Sequence, residues 1–178
     1  RLDGEVVTGP SPDRAMVFQS YSLLPRLSLV RNVHAAVRSA RRDWAAEKVD
    51  ATAERYLHGV GLWEHRDKKP HQVSGGMQQR CAVARAFAVE PRVLLLDEPF
   101  GALDALTRAR LQTQLIDLWS SESETEMVVM VTHGIDEAIL LSDRVVVMSN
   151  PPGRSVSAVI PVEIPRPRDR VSVIDDPH

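Results

Sequence analysis

The segment Val73-Ser74-Gly75-Gly76-Met77-Gln78-Gln79-Arg80 places a hydroxyl and two glycines at the start of a predicted helix. The first turn of a helix has backbone N–H groups without intrahelical partners. Glycines let a ligand approach them closely, so the segment suits a bound phosphate. Seventeen residues after Gly76 comes Val93-Leu94-Leu95-Leu96-Asp97-Glu98-Pro99, an apolar run ending in two carboxylates. Four apolar residues without alternation fit a strand covered on both faces of a parallel α/β sheet. Ligands of such sheets bind at the C-terminal ends of the strands, where Asp97 and Glu98 fall. Adjacent strand residues point to opposite sides. One carboxylate therefore suits a metal-bound phosphate and the other a polarised water.

Three further residues stand at comparable positions. His133 follows a second apolar strand, Met127 to Thr132, in the same design as Asp97. Gln19 follows a strand over Arg14 to Phe18 and precedes Ser74 by 55 residues. Asp104, in Gly101-Ala102-Leu103-Asp104, is on its own a helix-start residue. The other histidines, His34, His58, His65, His71 and His178, form no metal-ligand spacing.

The pattern of elements around these residues predicts an α/β fold with a mainly parallel sheet flanked by helices. Leu2 to Thr8 reads as a short strand turning at Asp3-Gly4, and Gly9 to Asp13 as a loop. Beyond Gln19 the chain changes character: Ser28 is an N-cap for a helix to about Arg42, carrying Val30, Val33, His34 and Val37 at helical spacing. A second helix from about Glu47 to Val60 carries Val49, Ala53, Tyr56, Leu57 and Val60 on one stripe. The glycine-opened helix runs to about Val89 and stops at Pro91. A long helix from near Ala102 is expected to pack Leu103, Leu106, Leu111, Leu115 and Leu118 on the sheet. Then come a polar turn at Ser120 to Thr125, a buried strand at Met127 to Val131, a helix at Ile135 to Leu141 and a strand at Arg144 to Met148. A turn at Asn150-Pro151-Pro152-Gly153 leads to an edge strand within Ser155 to Ile164. The frame is thus 1–20 and 91–165, with a helical subdomain at 21–90 and an irregular tail at 166–178.

The bulk numbers exclude several function classes. The hydrophobic share of 43% and charged share of 26% are those of an ordinary globular protein. A net charge of -2 gives no reason to expect nucleic-acid binding. With Cys81 as the only cysteine, an intramolecular disulfide is impossible and a cysteine metal site implausible. No apolar run approaches the roughly 18 residues needed to span a bilayer, so a cytoplasmic location is expected, with membrane association made through a partner.

Taken together, Val73 to Arg80 and Val93 to Pro99 resemble the signature motif and Walker B motif of ABC-type ATPases, the nucleotide-binding subunits of ABC transporters. The resemblance implies a P-loop NTPase-like fold, ATP and Mg²⁺ as cofactors, and hydrolysis coupled to transport. It also implies roles residue by residue. Ser74, Gly75, Gly76 and Gln78 contact ATP held by a second ATPase subunit in a head-to-tail dimer. Asp97 and Gln19 serve the Mg²⁺ shell, and Glu98 is the general base. His133 is the switch histidine and Asp104 belongs to the interface D-loop. The residues from Tyr21 to Arg31 help form the groove for transmembrane permease subunits, which act with a periplasmic or lipid-anchored substrate-binding protein. Gly9-Pro10 through Asp13-Arg14, Ser142-Asp143-Arg144 with Asn150 to Arg154, and Pro165 to Arg170 are similar to importers of nitrate, sulfonate, taurine or thiamine-precursor pyrimidines. Gly134 departs from the Asp usual after the switch histidine.

The chain starts at Arg1 and has no Gly-Lys pair, hence no G-x-x-x-x-G-K-[ST] phosphate loop. The resemblance places that loop upstream, so the sequence is expected to be N-terminally truncated and inactive as an ATPase on its own. Two rivals are a non-transport ABC ATPase, which predicts coiled-coil insertions or zinc cysteines that are absent here, and a subunit lending its signature segment to another ATPase.

Overall fold

The structure, a computed structural model, describes residues 1–101, 103–120, 124–149, 155–166 and 168. They fall into two compact units, Arg1–Val131 and Thr132–His178.

The first unit is built on three parallel strands, β1 (Arg14–Val17), β2 (Val93–Asp97) and β3 (Met127–Val131), in the order β1-β2-β3. Arg14 pairs with Val93, and Val93 with Met127, so Asp97 lies level with Val131 at the C-terminal ends. One face, with Val17, Leu94 and Leu96, is buried. On the other face Met16, Met127, Val129 and Val131 are exposed. The expectation that β3 is a buried strand is therefore corrected. An unbroken apolar run does not reveal whether both faces of the strand are covered.

Three helices form the insert between β1 and β2: α1 (Leu29–Ala40), α2 (Ala46–Gly59) and α3 (Gly75–Ala88). Ser28 caps α1, its hydroxyl accepting from Arg31 N, and Leu29, Val33 and Val37 line the buried side. The α2 stripe buries Val49, Ala53, Tyr56 and Leu57. Gly61, at φ +66°, ends that helix in a Schellman arrangement: Leu62 N donates to Leu57 O, and Gly61 N to His58 O. Helix α3 buries Cys81, Ala82, Val83, Ala84, Phe87 and Ala88 almost all round, because α1, α2 and β1 all pack against it. The Tyr56 and Phe87 rings stack at 6.3 Å. Burial pushes the Cys81 thiol up to about 12, leaving it protonated and inert at neutral pH.

Helix α3 ends before Pro91 by two devices that the proline alone did not announce. Glu90 turns left-handed at φ +52°, and Arg41 from beyond α1 donates to Val89 O and Glu90 O. The next helix, α4 (Ala105–Ser120), packs against α2 and α3. Leu103, Leu111, Leu115 and Leu118 are buried, whereas Leu106 is 64% exposed and does not belong to the predicted stripe. Leu106 stands five positions before Leu111, about 140° away around a helix of about 3.6 residues per turn, so it lies off the buried stripe. Leu2 to Thr8 is not a strand either: Leu2 and Glu5 close a single bridge around the Asp3-Gly4 turn. Arg92 secures that turn, pairing with Asp3 and with Glu126 beside β3.

His34 supplies a pH test of the α1–α2 packing. Asp50 Oδ1 lies 3.3 Å from His34 Nε2 without forming a hydrogen bond. The imidazole is held below its usual value, chiefly by burial; the exposed Asp50 pulls the other way, and Arg38 and Arg31 reinforce the lowering. The folded state thus binds this proton less readily than the unfolded chain. The contribution is fully present above the unfolded value of about 6.5 and is lost as pH falls through it toward the folded value. Tm should decline from pH 7 to pH 5, and His34→Gln should flatten part of that decline. Identical pH slopes for the two proteins would contradict this.

The second unit contains α5 (Ile135–Leu141) and an antiparallel pair, β4 (Arg144–Met148) with β5 (Val156–Pro161). Arg168 does not behave as part of an irregular tail: it donates to Ile139 O, Ser142 O, Val162 O and Ile164 O. Arg166 pairs with Asp143. Ala102, residues 121–123 of the polar turn, the turn at 150–154, Pro167 and residues 169–178 lie outside the described residues. No helix among the described residues is long and apolar enough to cross a membrane.

Candidate functional site

Ser74 stands just before α3 in extended conformation, its hydroxyl accepting from Met77 N at 3.3 Å. The two glycines that follow lie close against their neighbours. A Cβ on Gly75 would lie 2.7 Å from the Tyr21 hydroxyl, and one on Gly76 would lie 2.8 Å from Thr107 Cγ2. The opening turn of α3 therefore touches the loop after Gln19 on one side and the first turn of α4, just past Asp104, on the other. Gln78 is half-buried on that same turn.

The carboxylate pair lies at the end of β2. Asp97 closes the strand ladder opposite Val131, and its carboxylate forms no hydrogen bond or ion pair with the described residues. Glu98 departs from simple strand alternation: its N–H still donates to Val131 O at 3.0 Å, but its φ is +45°. A non-glycine residue in this region is strained by about 1 kcal/mol or more, and such strain persists where surrounding contacts hold it. One contact is Gln19, whose Nε2 donates to Glu98 Oε2 at 3.2 Å across 79 residues of sequence. Another is the Gly101 N–H on Glu98 O at 3.2 Å.

Gln19 and Glu98 are thus brought together, and Ser74 to Gly76 meet the loops that carry Gln19 and Asp104. The Asp104 carboxylate accepts from Leu106 N and Thr107 N, and the Thr107 side chain first, then these backbone bonds, hold it below the usual carboxylate range. That matches its reading as a helix-start residue. His133 belongs to the second unit, exposed and just before α5. There the Thr132 hydroxyl donates to Glu137 Oε2 at 2.6 Å and accepts from Gly134 N, which shapes the turn through His133. A Cβ on Gly134 would lie 3.1 Å from the Glu137 side chain, so an aspartate there would force Glu137 to move.

Two residues that position the site carry no motif and were missed in the sequence. Asn32 is fully buried on α1 and bonds Leu24 N, Leu24 O, Leu27 O and Ser28 O. Arg85 on α3 donates to Ser22 O at 2.7 Å. The only available signal was a polar side chain on an otherwise apolar helix face.

The profile described as "ABC transporter" matches residues 4–101, which include Gln19, Ser74 to Arg80, Asp97 and Glu98. The chain belongs to the ABC transporter family. It is 49% identical over 176 residues to the bicarbonate transport ATP-binding protein CmpC of Synechococcus elongatus, covering 99% of this chain and 26% of that protein. It is 47% identical to the nitrate import ATP-binding protein NrtD of Synechococcus elongatus, covering 99% of this chain and 64% of the relative. The chain therefore spans between about a quarter and two thirds of the length of these curated relatives. Among solved structures, it resembles an ATP-binding cassette in a dimeric post-hydrolysis state bound to ADP and Pi. That likeness has a TM-score of 0.70 and 31% identity, and covers 84% of this chain and 63% of that one. The fold of this ABC family member is accordingly α/β, with a parallel sheet and an inserted helical part.

The donor set can be tested against Mg²⁺, the metal implied for this family. No group of three or more His, Cys, Asp and Glu converges among the described residues. Mg²⁺ needs no such cage, since it is commonly held by one or two carboxylates together with substrate phosphates and water. Asp97, half-buried and without a protein partner among the described residues, supplies one hard oxygen donor. The Gln19 amide oxygen, on a side chain whose nitrogen is engaged by Glu98, supplies another. The residues present fit the ion.

Proposed function

We propose that this ABC family member is the ATP-binding and ATP-hydrolysing subunit of an importer for a small anion of the nitrate or bicarbonate class. The Gln19–Glu98 hydrogen bond carries the catalytic part of this reading, because it seats a carboxylate that can take a proton beside an amide able to orient the water. The near-complete alignment with bicarbonate and nitrate relatives carries the substrate class.

In this reading, water adds to the γ-phosphorus, the bond to the β–γ bridging oxygen breaks, and ADP and phosphate separate. Glu98 receives the proton from the water, with Gln19 holding its carboxylate in place. Asp97 and Gln19 would hold Mg²⁺, which would neutralise phosphate charge. Ser74, Gly75, Gly76 and Gln78 receive the γ-phosphate of nucleotide bound to a second ATPase subunit, Asp104 lies at that interface, and His133 is the switch residue that contacts a γ-phosphate. The partners are that second subunit, membrane permease subunits and, through them, a substrate-binding protein. The chain works at the inner face of the cell membrane.

The test is reconstitution of the complete gene product with its permease and binding protein in proteoliposomes. ATP-dependent uptake of labelled nitrate or bicarbonate is expected, with ATP hydrolysis stimulated by the anion-loaded binding protein. An absence of ATP hydrolysis, or hydrolysis indifferent to permease and binding protein, would overturn the reading.

A further inference from the structure

We infer that Arg85 is a positioning residue that ties the loop carrying Gln19 to α3, so that the Gln19 amide stays on Glu98 only while α3 is seated against that loop. The inference rests on the roles of Gln19 and Glu98 proposed above and concerns how they are held.

The loop between β1 and α1 is pinned from both sides. On the α1 side, Asn32 fixes Leu24, Leu27 and Ser28 through four hydrogen bonds. On the α3 side, the Tyr21 hydroxyl rests against Gly75, and the Arg85 guanidinium donates to Ser22 O. Side chains on a helix lean back toward its start. Arg85 and Gly75 can therefore reach neighbouring loop residues although they lie ten positions apart. The grip on Ser22 is selective for one backbone state. Ser22 has φ +49°, unusual for a serine, and that turn aims its carbonyl at Arg85. A charge-assisted hydrogen bond is stronger than a neutral one, which suits it to holding a strained residue. Ser22 is only three positions from Gln19, a span of at most about 10 Å. A displacement of α3, and with it of the Ser74 to Gly76 opening, is thus passed to the amide that holds the catalytic carboxylate.

The test uses the complete gene product in its reconstituted transporter. Arg85→Met removes the donor and keeps the apolar stem; Ser22→Pro, in an exposed loop, forbids the positive φ and leaves the helices intact. Each should lower kcat about tenfold, with KM for ATP within about twofold of wild type, and the double variant should be no slower than the slower single. A kcat at the wild-type level in either variant, or a double loss equal to the product of the single losses, would overturn the anchor. If Arg85→Met does not fold, kcat of Ser22→Pro decides alone. A wild type that does not hydrolyse ATP overturns the proposed function instead. Amide exchange of residues 20–24 then judges the anchor: faster exchange in the variants supports it, and unchanged exchange overturns it.

Discussion

Glu98→Gln in the complete gene product is expected to lower kcat for ATP by about 10²- to 10³-fold while leaving nucleotide affinity in place. The substitution preserves side-chain length and shape. An amide oxygen still accepts the Gln19 Nε2 hydrogen bond, so the contact at 3.2 Å is kept. Nor does it change the backbone demand, since glutamine tolerates the +45° φ no worse than glutamate does. What is lost is the capacity to take a proton from water, which an amide lacks. The effect should fall on the chemical step, with KM nearly constant, because no group that binds nucleotide has been removed. Gln19→Ala makes the comparison: it removes the orienting bond and leaves the base, so its kcat loss should be smaller. Wild-type turnover in Glu98→Gln, measured under single-turnover conditions, would reassign the base.

Much of this site is legible in sequence, because its chemistry demands rare combinations. Two glycines behind a serine suit the start of α3, where the Tyr21 and Thr107 side chains crowd it. Leu94 and Leu96 must be apolar because helices cover their face of the sheet. The same physics hides the rest. An apolar strand reads alike whether its second face is covered or not, so the exposure of Met127, Val129 and Val131 was invisible. The left-handed turn at Glu98 carries no compositional sign, since glutamate has no preference for positive φ. Its cause lies in partners from other segments, Val131 O and the Gln19 amide. Arg168 reads as part of an irregular tail, although it joins the end of α5, at Ile139 O and Ser142 O, to the segment after β5, at Val162 O and Ile164 O. In each case the missing information is the identity of a distant neighbour, which local pattern cannot supply.

Asn32→Ala tests the largest of these hidden terms on stability and is expected to destabilise the protein by about 3 kcal/mol. The Asn32 side chain is wholly buried, and its amide serves as donor to three carbonyls and acceptor from Leu24 N. Alanine leaves all four backbone groups without that partner. Leu24 is 47% exposed, so water can reach some of them, which keeps the cost below that of four fully orphaned groups. Asn32→Leu should do no better, because it fills the space while leaving Leu24 N without its acceptor. Denaturant unfolding followed by tryptophan fluorescence should show a lower midpoint at unchanged slope. A loss under about 1 kcal/mol would mean that the loop re-forms its hydrogen bonds with water at little cost. Asn32 would then be dispensable for stability, and the geometry of the Gln19 loop would rest on the α3 side alone, through Arg85 and Tyr21.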